Sequence, residues 1–246
     1  MPLSAHIFGP GISAAKELLF PRSCVNCANA VEEGTFRHLC GSCESRLRYA
    51  TGACCTTCGH PFDGAMEVGR ICSHCELLVP VFDEGRTAVL LRGSGRSLVH
   101  ALKYHHGLHV LEDVTTIMRH SPGYADFAAG ARLVPVPLHP RKQRERGYNQ
   151  SELLARCVMA CASRTQMAPM LRRVVDTVSQ TAFDRAARQE NLKNAFALAS
   201  GSVISSEDRY LIVDDVFTTG STLNACAAVL RRAGALRVDV LTFGHG

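Results

Sequence analysis

Four Cys-x-x-Cys pairs lie between residues 24 and 75: Cys24–Cys27, Cys40–Cys43, Cys55–Cys58 and Cys72–Cys75. The first pair recurs 31 residues later and the second 32 later, and the flanks recur with them, LCGSCESRL beside ICSHCELLV. Self-similarity at a fixed period marks two copies of one small unit. Two thiols three positions apart sit at the tip of a tight turn and can face one ion. Two such knuckles supply four thiolates, the closed tetrahedral set of a structural zinc site. The knuckles of a copy are separated by 12 residues in the first and 13 in the second. Such a span encloses almost no apolar core, so metal would supply most of its folding free energy. Two zinc ions are therefore expected, one on Cys24, Cys27, Cys40 and Cys43, the other on Cys55, Cys58, Cys72 and Cys75. Cys54, His60 and His74 are read as non-ligands, because eight sulfurs already fill two sites.

Disulfides would need an oxidising compartment. The opening MPLSAHIFGPGISAAKELLF has neither the basic start nor the clean apolar stretch of a secretory signal. No run of ~20 apolar residues offers a membrane span. The expectation is a cytoplasmic chain without membrane insertion.

The charge is divided. Residues 1–80 hold 6 Lys/Arg and 7 Asp/Glu, residues 81–246 hold 21 and 15. Four thiolates on one Zn²⁺ leave a net −2 per site, so the zinc-bearing part is a poor match to phosphate on its own. An anionic partner belongs to the later part, although a slightly basic enzyme surface would have the same composition.

From about Asp83 the pattern alternates. RTAVLL (86–91), ARLVPVP (131–137), RYLIVDD (209–215) and LRVDVLTF (236–243) read as strands. The segments 95–105, 108–118, 151–164 (with Ser151 as N-cap) and 221–235 read as helices. Alternating strand and helix implies a parallel sheet covered on both faces. Cys157, Cys161 and Cys226 fall on helix faces as small buried hydrophobes.

The segment LIVDDVFTTGST, Leu211 to Thr222, has the clearest chemistry. An apolar strand delivers Asp214 and Asp215, and the loop Thr218-Thr219-Gly220-Ser221-Thr222 then opens a helix. Small hydroxyl residues and one glycine at a helix N-terminus present N–H donors to a phosphate. Two acids beside that loop would repel a phosphate directly, and their chemistry suits sugar hydroxyls. Together they point to a sugar phosphate.

These residues resemble the phosphoribosyl pyrophosphate (PRPP) motif of type I phosphoribosyltransferases. A double zinc ribbon ahead of such a segment resembles the ComF family, associated with competence and DNA uptake in bacteria. The resemblance extends through LLFPRSCVNC, CCTTCGHP, HALKYHHG, VPVPLHPRKQRERGYNQSELLA and SQTAFDRAARQENLKNAF. The chain departs from it at Leu91-Arg92-Gly93, where similar proteins carry a tyrosine, and at the terminal FGHG.

The resemblance implies an α/β protein with the type I phosphoribosyltransferase fold, a mainly parallel sheet with helices on both faces, in residues 81–246. A double zinc ribbon with a short N-terminal helix would occupy residues 1–80. The family pattern gives Asp214 and Asp215 the ribose hydroxyls and the charge that develops in transfer. It gives Thr218, Thr219, Gly220, Ser221 and Thr222 the 5′-phosphate, with Mg²⁺ accompanying PRPP. The basic loop after VPVP, with Arg141, Lys142, Arg144 and Arg146 (and His139 if protonated), would meet pyrophosphate together with Lys103. A solvated basic turn would look the same. Gln180, Thr181, Arg188 and Asn191 fall where the family's mobile hood lies.

Three functions follow from the resemblance. One is phosphoribosyl transfer, a glycosyltransferase reaction, to an unknown acceptor in DNA uptake and natural transformation. The second is a non-catalytic module binding PRPP and single-stranded DNA, with Tyr148 beside the basic loop. The third is a scaffold for a competence ATPase or helicase. Zinc ribbons that fold by themselves would leave the phosphate site intact when the metal is removed.

Overall fold

The computed structural model describes residues 22–62, 71–76, 78–104, 107–175 and 194–246. The expected short N-terminal helix lies outside them.

The centre is a five-stranded sheet. Its strands are β1 (Gly85–Leu90), β2 (Arg132–Pro135), β3 (Gln166–Met167), β6 (Arg209–Phe217) and β7 (Arg237–His245). Their order is β1-β7-β6-β2-β3, and all pairs are parallel. Strand β6 reads as a nearly unbroken apolar run, as a strand covered on both faces must. A separate antiparallel pair joins β4 (Leu171–Arg173) to β5 (Phe196–Leu198).

Alternate residues of each strand feed two cores. Leu133, Leu211, Val213, Leu241 and Phe243 face one. There they pack with helices α2 (Ser94–Tyr104), α3 (Leu111–His120), α4 (Tyr124–Ala128) and α6 (Gln150–Cys161). Val134, Ile212, Val238 and Val240 face the other, under α7 (Ser221–Arg232). This is the mainly parallel α/β architecture read from the sequence.

Two local readings are corrected. The cap of α6 is Asn149, whose side chain accepts from Ser151 N at 3.0 Å, so Ser151 is inside the helix and its hydroxyl points elsewhere. The basic segment after β2 is helix α5 (Pro140–Arg146) rather than a loop. Pro140 opens it behind a His139 cap, and Gly147, at φ 82°, closes it in the left-handed conformation that favours glycine.

The repeat in the sequence is a repeat in space. The first knuckle of each copy closes with the same two bonds: Cys24 N to Asn29 O and Ala28 N to Cys24 O, then Cys55 N to His60 O and Gly59 N to Cys55 O, all 2.8 Å. The residue after the second cysteine is left-handed in both, as Ala28 (φ 62°) and Gly59 (φ 74°). The second knuckle of the first copy continues into α1 (Gly41–Glu44).

The two ribbons lie on opposite faces of the sheet. Cys24, Phe36, Leu39, Cys43 and Leu47 belong to the first core, and Cys55, Cys58, Cys72, Cys75, Leu78 and Phe82 to the second. The segment joining them runs along the outer edge of β1. Ala50 N donates to Ala88 O, Leu90 N to Arg48 O and Gly85 N to Thr56 O. That pairing covers an edge that would otherwise expose unpaired backbone groups. Packing therefore crosses the proposed boundary near residue 80. The ribbons and the sheet thus share two cores, one on each face.

Candidate functional site

Strands β2 and β6 are neighbours, but their connections leave in opposite directions. From β2 the chain passes through α5 and α6 to β3 at one edge; from β6 it passes through α7 to β7 on the other side. Such a switch point opens a crevice at the carboxyl ends of the strands, where ligands bind in open α/β sheets. The two motifs singled out in the sequence lie at these two strand ends.

Asp214 and Asp215 stand near the end of β6. Asp215 is 4% exposed. Lys103, from the last turn of α2, pairs with its Oδ1 at 3.0 Å, while its Oδ2 is buried without a hydrogen-bond partner among the described residues. An acceptor left in that state suits a donor brought by a ligand. Asp214 Oδ1 accepts from the Ser151 hydroxyl and from Asp215 N, both at 2.9 Å. Burial, and then the charge of Asp215, push the Asp214 carboxyl up to about 7; its hydrogen bonds and Lys103 oppose the shift.

The loop that follows is shaped to approach an anion. The Thr219 and Ser221 hydroxyls lie 2.9 Å apart, and Ser221 N points at Thr219 Oγ1. Gly220 has φ 72°, and a Cβ there would lie 2.7 Å from the Phe217 ring and 2.8 Å from Leu78. Only glycine fits a left-handed turn pressed that closely. Thr218 is exposed, Thr219 and Thr222 are half-buried, and Ser221 opens α7.

The basic residues divide. Arg146 donates to Gln150 Oε1 at 2.5 Å and lies over the ring of Tyr104, next to Lys103. It thus joins the carboxylate centre to α5. Arg141 turns along the exposed face of α5 to Glu145, where Arg144 also sits, while Lys142 is half-buried one turn before Arg146. Tyr148 is half-buried, and its hydroxyl donates to Leu102 O. Gln180, Thr181, Arg188 and Asn191 lie outside the described residues. Sequence reasoning missed Ser151 as the partner of Asp214 and Tyr104 as the exposed aromatic. The signal for the first was the Asn149 cap, which leaves the next serine hydroxyl for other work.

The eight cysteines form two quartets, Cys24/Cys27/Cys40/Cys43 and Cys55/Cys58/Cys72/Cys75, with all ligand sulfurs of a quartet within 4.8 Å of one another. Sulfurs bound at ~2.3 Å to one tetrahedral zinc stand ~3.8 Å apart. Cys27 and Cys40 are separated by 3.6 Å and Cys58 and Cys72 by 3.5 Å, so the residues fit the ion. Asn26 Nδ2 reaches Cys43 Sγ, Cys72 N reaches Cys55 Sγ and His60 N reaches Cys58 Sγ, donors of the kind that settle thiolates. Cys54, His60 and His74 stand outside both quartets.

Comparison with known proteins agrees with this arrangement. The double zinc ribbon domain matches residues 15–76. Competence protein F of Haemophilus influenzae is 28% identical over 219 residues, 88% of this chain and 87% of that one. DNA utilization protein YhgH of Escherichia coli is 30% identical over 207 residues, 82% of this chain and 88% of its own. The chain belongs to the ComF family. Another ComF relative, competence protein ComFC of Bacillus subtilis, is 24% identical over 202 residues, covering 80% and 79%. A solved hypoxanthine phosphoribosyltransferase from Staphylococcus aureus aligns with 54% of the chain and 62% of itself, at 17% identity and a TM-score of 0.32. Leu91 packs on Gly244, and Leu91 N donates to His245 O at 2.8 Å. Among the described residues no helix is long and apolar enough to cross a membrane.

Proposed function

We propose that this ComF protein binds PRPP with Mg²⁺ at the crevice between β2 and β6, and serves DNA uptake in natural transformation. The observation that carries this reading is the joint placement of four features at one switch point. They are the acid pair, Lys103, the hydroxyl-lined loop and the helix α5 with Arg146.

Each group has a task its surroundings suit. Thr218 to Thr222 present backbone donors and hydroxyls to the 5′-phosphate. Asp215 Oδ2 and the remaining lone pairs of Asp214 accept from ribose hydroxyls. Lys103 and Arg146 supply positive charge toward the diphosphate, with Lys142 one turn before Arg146 and Arg141 and Arg144 on the outer face of α5 raising the local potential. Mg²⁺, held by the diphosphate and ribose oxygens, would neutralise charge on the leaving group. The same carboxylates would then stabilise positive charge developing on the ribose during phosphoribosyl transfer. Calorimetric titration with PRPP, with and without Mg²⁺, tests this. Saturable heat that requires Mg²⁺ supports it, and no heat in either condition would overturn it.

A second reading, a non-catalytic single-stranded DNA binder, is favoured by one feature. Tyr104 is 65% exposed, with the His100 ring 4.8 Å away and Arg146 6.0 Å from its own ring. An exposed ring within basic residues is a stacking platform for a base. Tyr104→Ala is expected to weaken oligonucleotide binding about tenfold, within the ~1–3 kcal/mol typical of one stacked base. Fluorescence anisotropy would show it, and an unchanged affinity would remove Tyr104 from that role.

A further inference from the structure

The phosphate loop does not stand alone at the end of β6. Behind it, the Phe217 ring stacks on His245 of β7, with centroids 5.3 Å apart and planes 11° from parallel. His245 is 2% exposed. Its other edges meet two histidines of the second ribbon, His60 at 4.7 Å and His74 at 5.3 Å. These two sit inside the knuckles, His60 two residues after Cys58 and His74 between Cys72 and Cys75. Among the described residues, the groups whose ligand atoms gather closely enough to hold an ion are the two cysteine quartets, and the trio is not one of them.

The position of His245 is fixed from the backbone as well. Its carbonyl accepts from Leu91 N, and Gly246 N donates to Phe217 O at 3.0 Å. On the other side of the loop, Leu78, whose N–H donates to Cys75 O, presses on Gly220 together with Phe217. The chain leaving the ribbon then takes hold of α7, the helix that the loop opens. Val81 N donates to Asn224 Oδ1, Asn224 Nδ2 to Val79 O, and Arg231 Nε to Val81 O. The loop and the start of α7 thus rest on residues whose own places are set by the second cysteine quartet.

We propose that the second zinc ribbon holds the loop 218–222 in its ligand-binding shape, with His245 as the positioning residue between the ribbon and Phe217. This rests on reading that loop as the phosphate site. His245 touches no ligand. It acts through Phe217, whose ring sets how closely Gly220 can turn.

The test compares zinc-loaded full-length protein with His245→Ala and His245→Phe. Zinc content, amide hydrogen exchange across 217–223 and PRPP affinity are measured on each. His245→Ala is expected to keep two zinc ions while the loop amides exchange about tenfold faster, a local opening rather than global unfolding. PRPP affinity should fall by a similar factor. His245→Phe preserves the stacked ring and should restore both. Wild-type exchange across 217–223 in His245→Ala, or failure of Phe to rescue, would overturn the proposal. If His245→Ala does not fold, Leu78→Val trims the other wall against Gly220 and is read by the same criteria. Faster exchange in a protein whose wild type binds no PRPP would uphold the support and refute the ligand, so the two ideas fail separately.

Discussion

Removing zinc is expected to unfold the whole chain rather than its first third. The second quartet is wholly buried in a core shared with Ile212, Val238 and Val240, and the first enters its core with Leu211, Val213 and Leu241 through Cys24 and Cys43, while Cys40 is half-buried and Cys27 exposed. A structural zinc contributes on the order of 10 kcal/mol to the fold that encloses it, against a net stability of roughly 5–15 kcal/mol for a domain. Loss of either ion therefore exceeds what the remaining contacts can hold. Further links would break with the first ribbon. Asp113, 1% exposed, accepts from Arg37 N and His38 N at 2.8 Å, and Ser94 donates to Cys43 O. Titration with a strong chelator should give one cooperative loss of circular dichroism, accompanied by loss of protection in β6 and β7. A protease-resistant fragment spanning residues 81–246 after chelation would sink this expectation.

The second large effect separates the two aspartates. Asp215→Asn leaves Lys103 without its charged partner in a half-buried place. Removing one member of a buried pair costs ~3 kcal/mol or more. The same change takes charge from the proposed ribose contact, so PRPP affinity should drop at least ~100-fold, or ~2.7 kcal/mol. Asp214→Asn should behave differently. The ordinary Asp214 value is 3.8 and its folded value is about 7, so the folded chain holds this proton more tightly than the unfolded chain. Stability from that group is present below about pH 4 and lost as pH rises to about 7. An asparagine can still accept from Ser151 and Asp215 N but never ionises. The variant should match the parent near pH 4 and exceed it at pH 8 by about 2–6 °C in Tm, while binding PRPP more weakly. Thermal scans at the two pH values decide it. A variant less stable than the parent at pH 8 would show that the carboxylate form is the favoured one in the fold.

The parts legible in the sequence were those written in local spacing. The eight ligands were fixed by the Cys-x-x-Cys period, and Asp214 to Thr222 by a strand, two acids and a glycine turn in succession. The helix α5 was legible too, since proline after a cap and glycine at the end are helix boundaries, but its basic composition suggested a loop. What could not be read were contacts between distant segments. Nothing near Ser151 announces Asp214. His60, His74 and His245 look unrelated along the chain, and nothing near Tyr148 announces that its hydroxyl finds Leu102 O. The placement of the ribbons on opposite faces depends on which residues of β6 point which way, and so on the completed sheet.

The position of β7 has a consequence for how the protein is made. This strand is the last in chain order, yet it lies inside the sheet between β1 and β6. Its neighbour on one side is separated from it by some 150 positions, as in the bond from Glu84 N to Asp239 across 155 residues. Parallel pairing over such distances forms slowly. A ribosome therefore delivers both metal-binding segments long before the surface they rest on exists. Zinc captured early would keep those segments compact while they wait, and the native sheet would be reached only once β7 has been made.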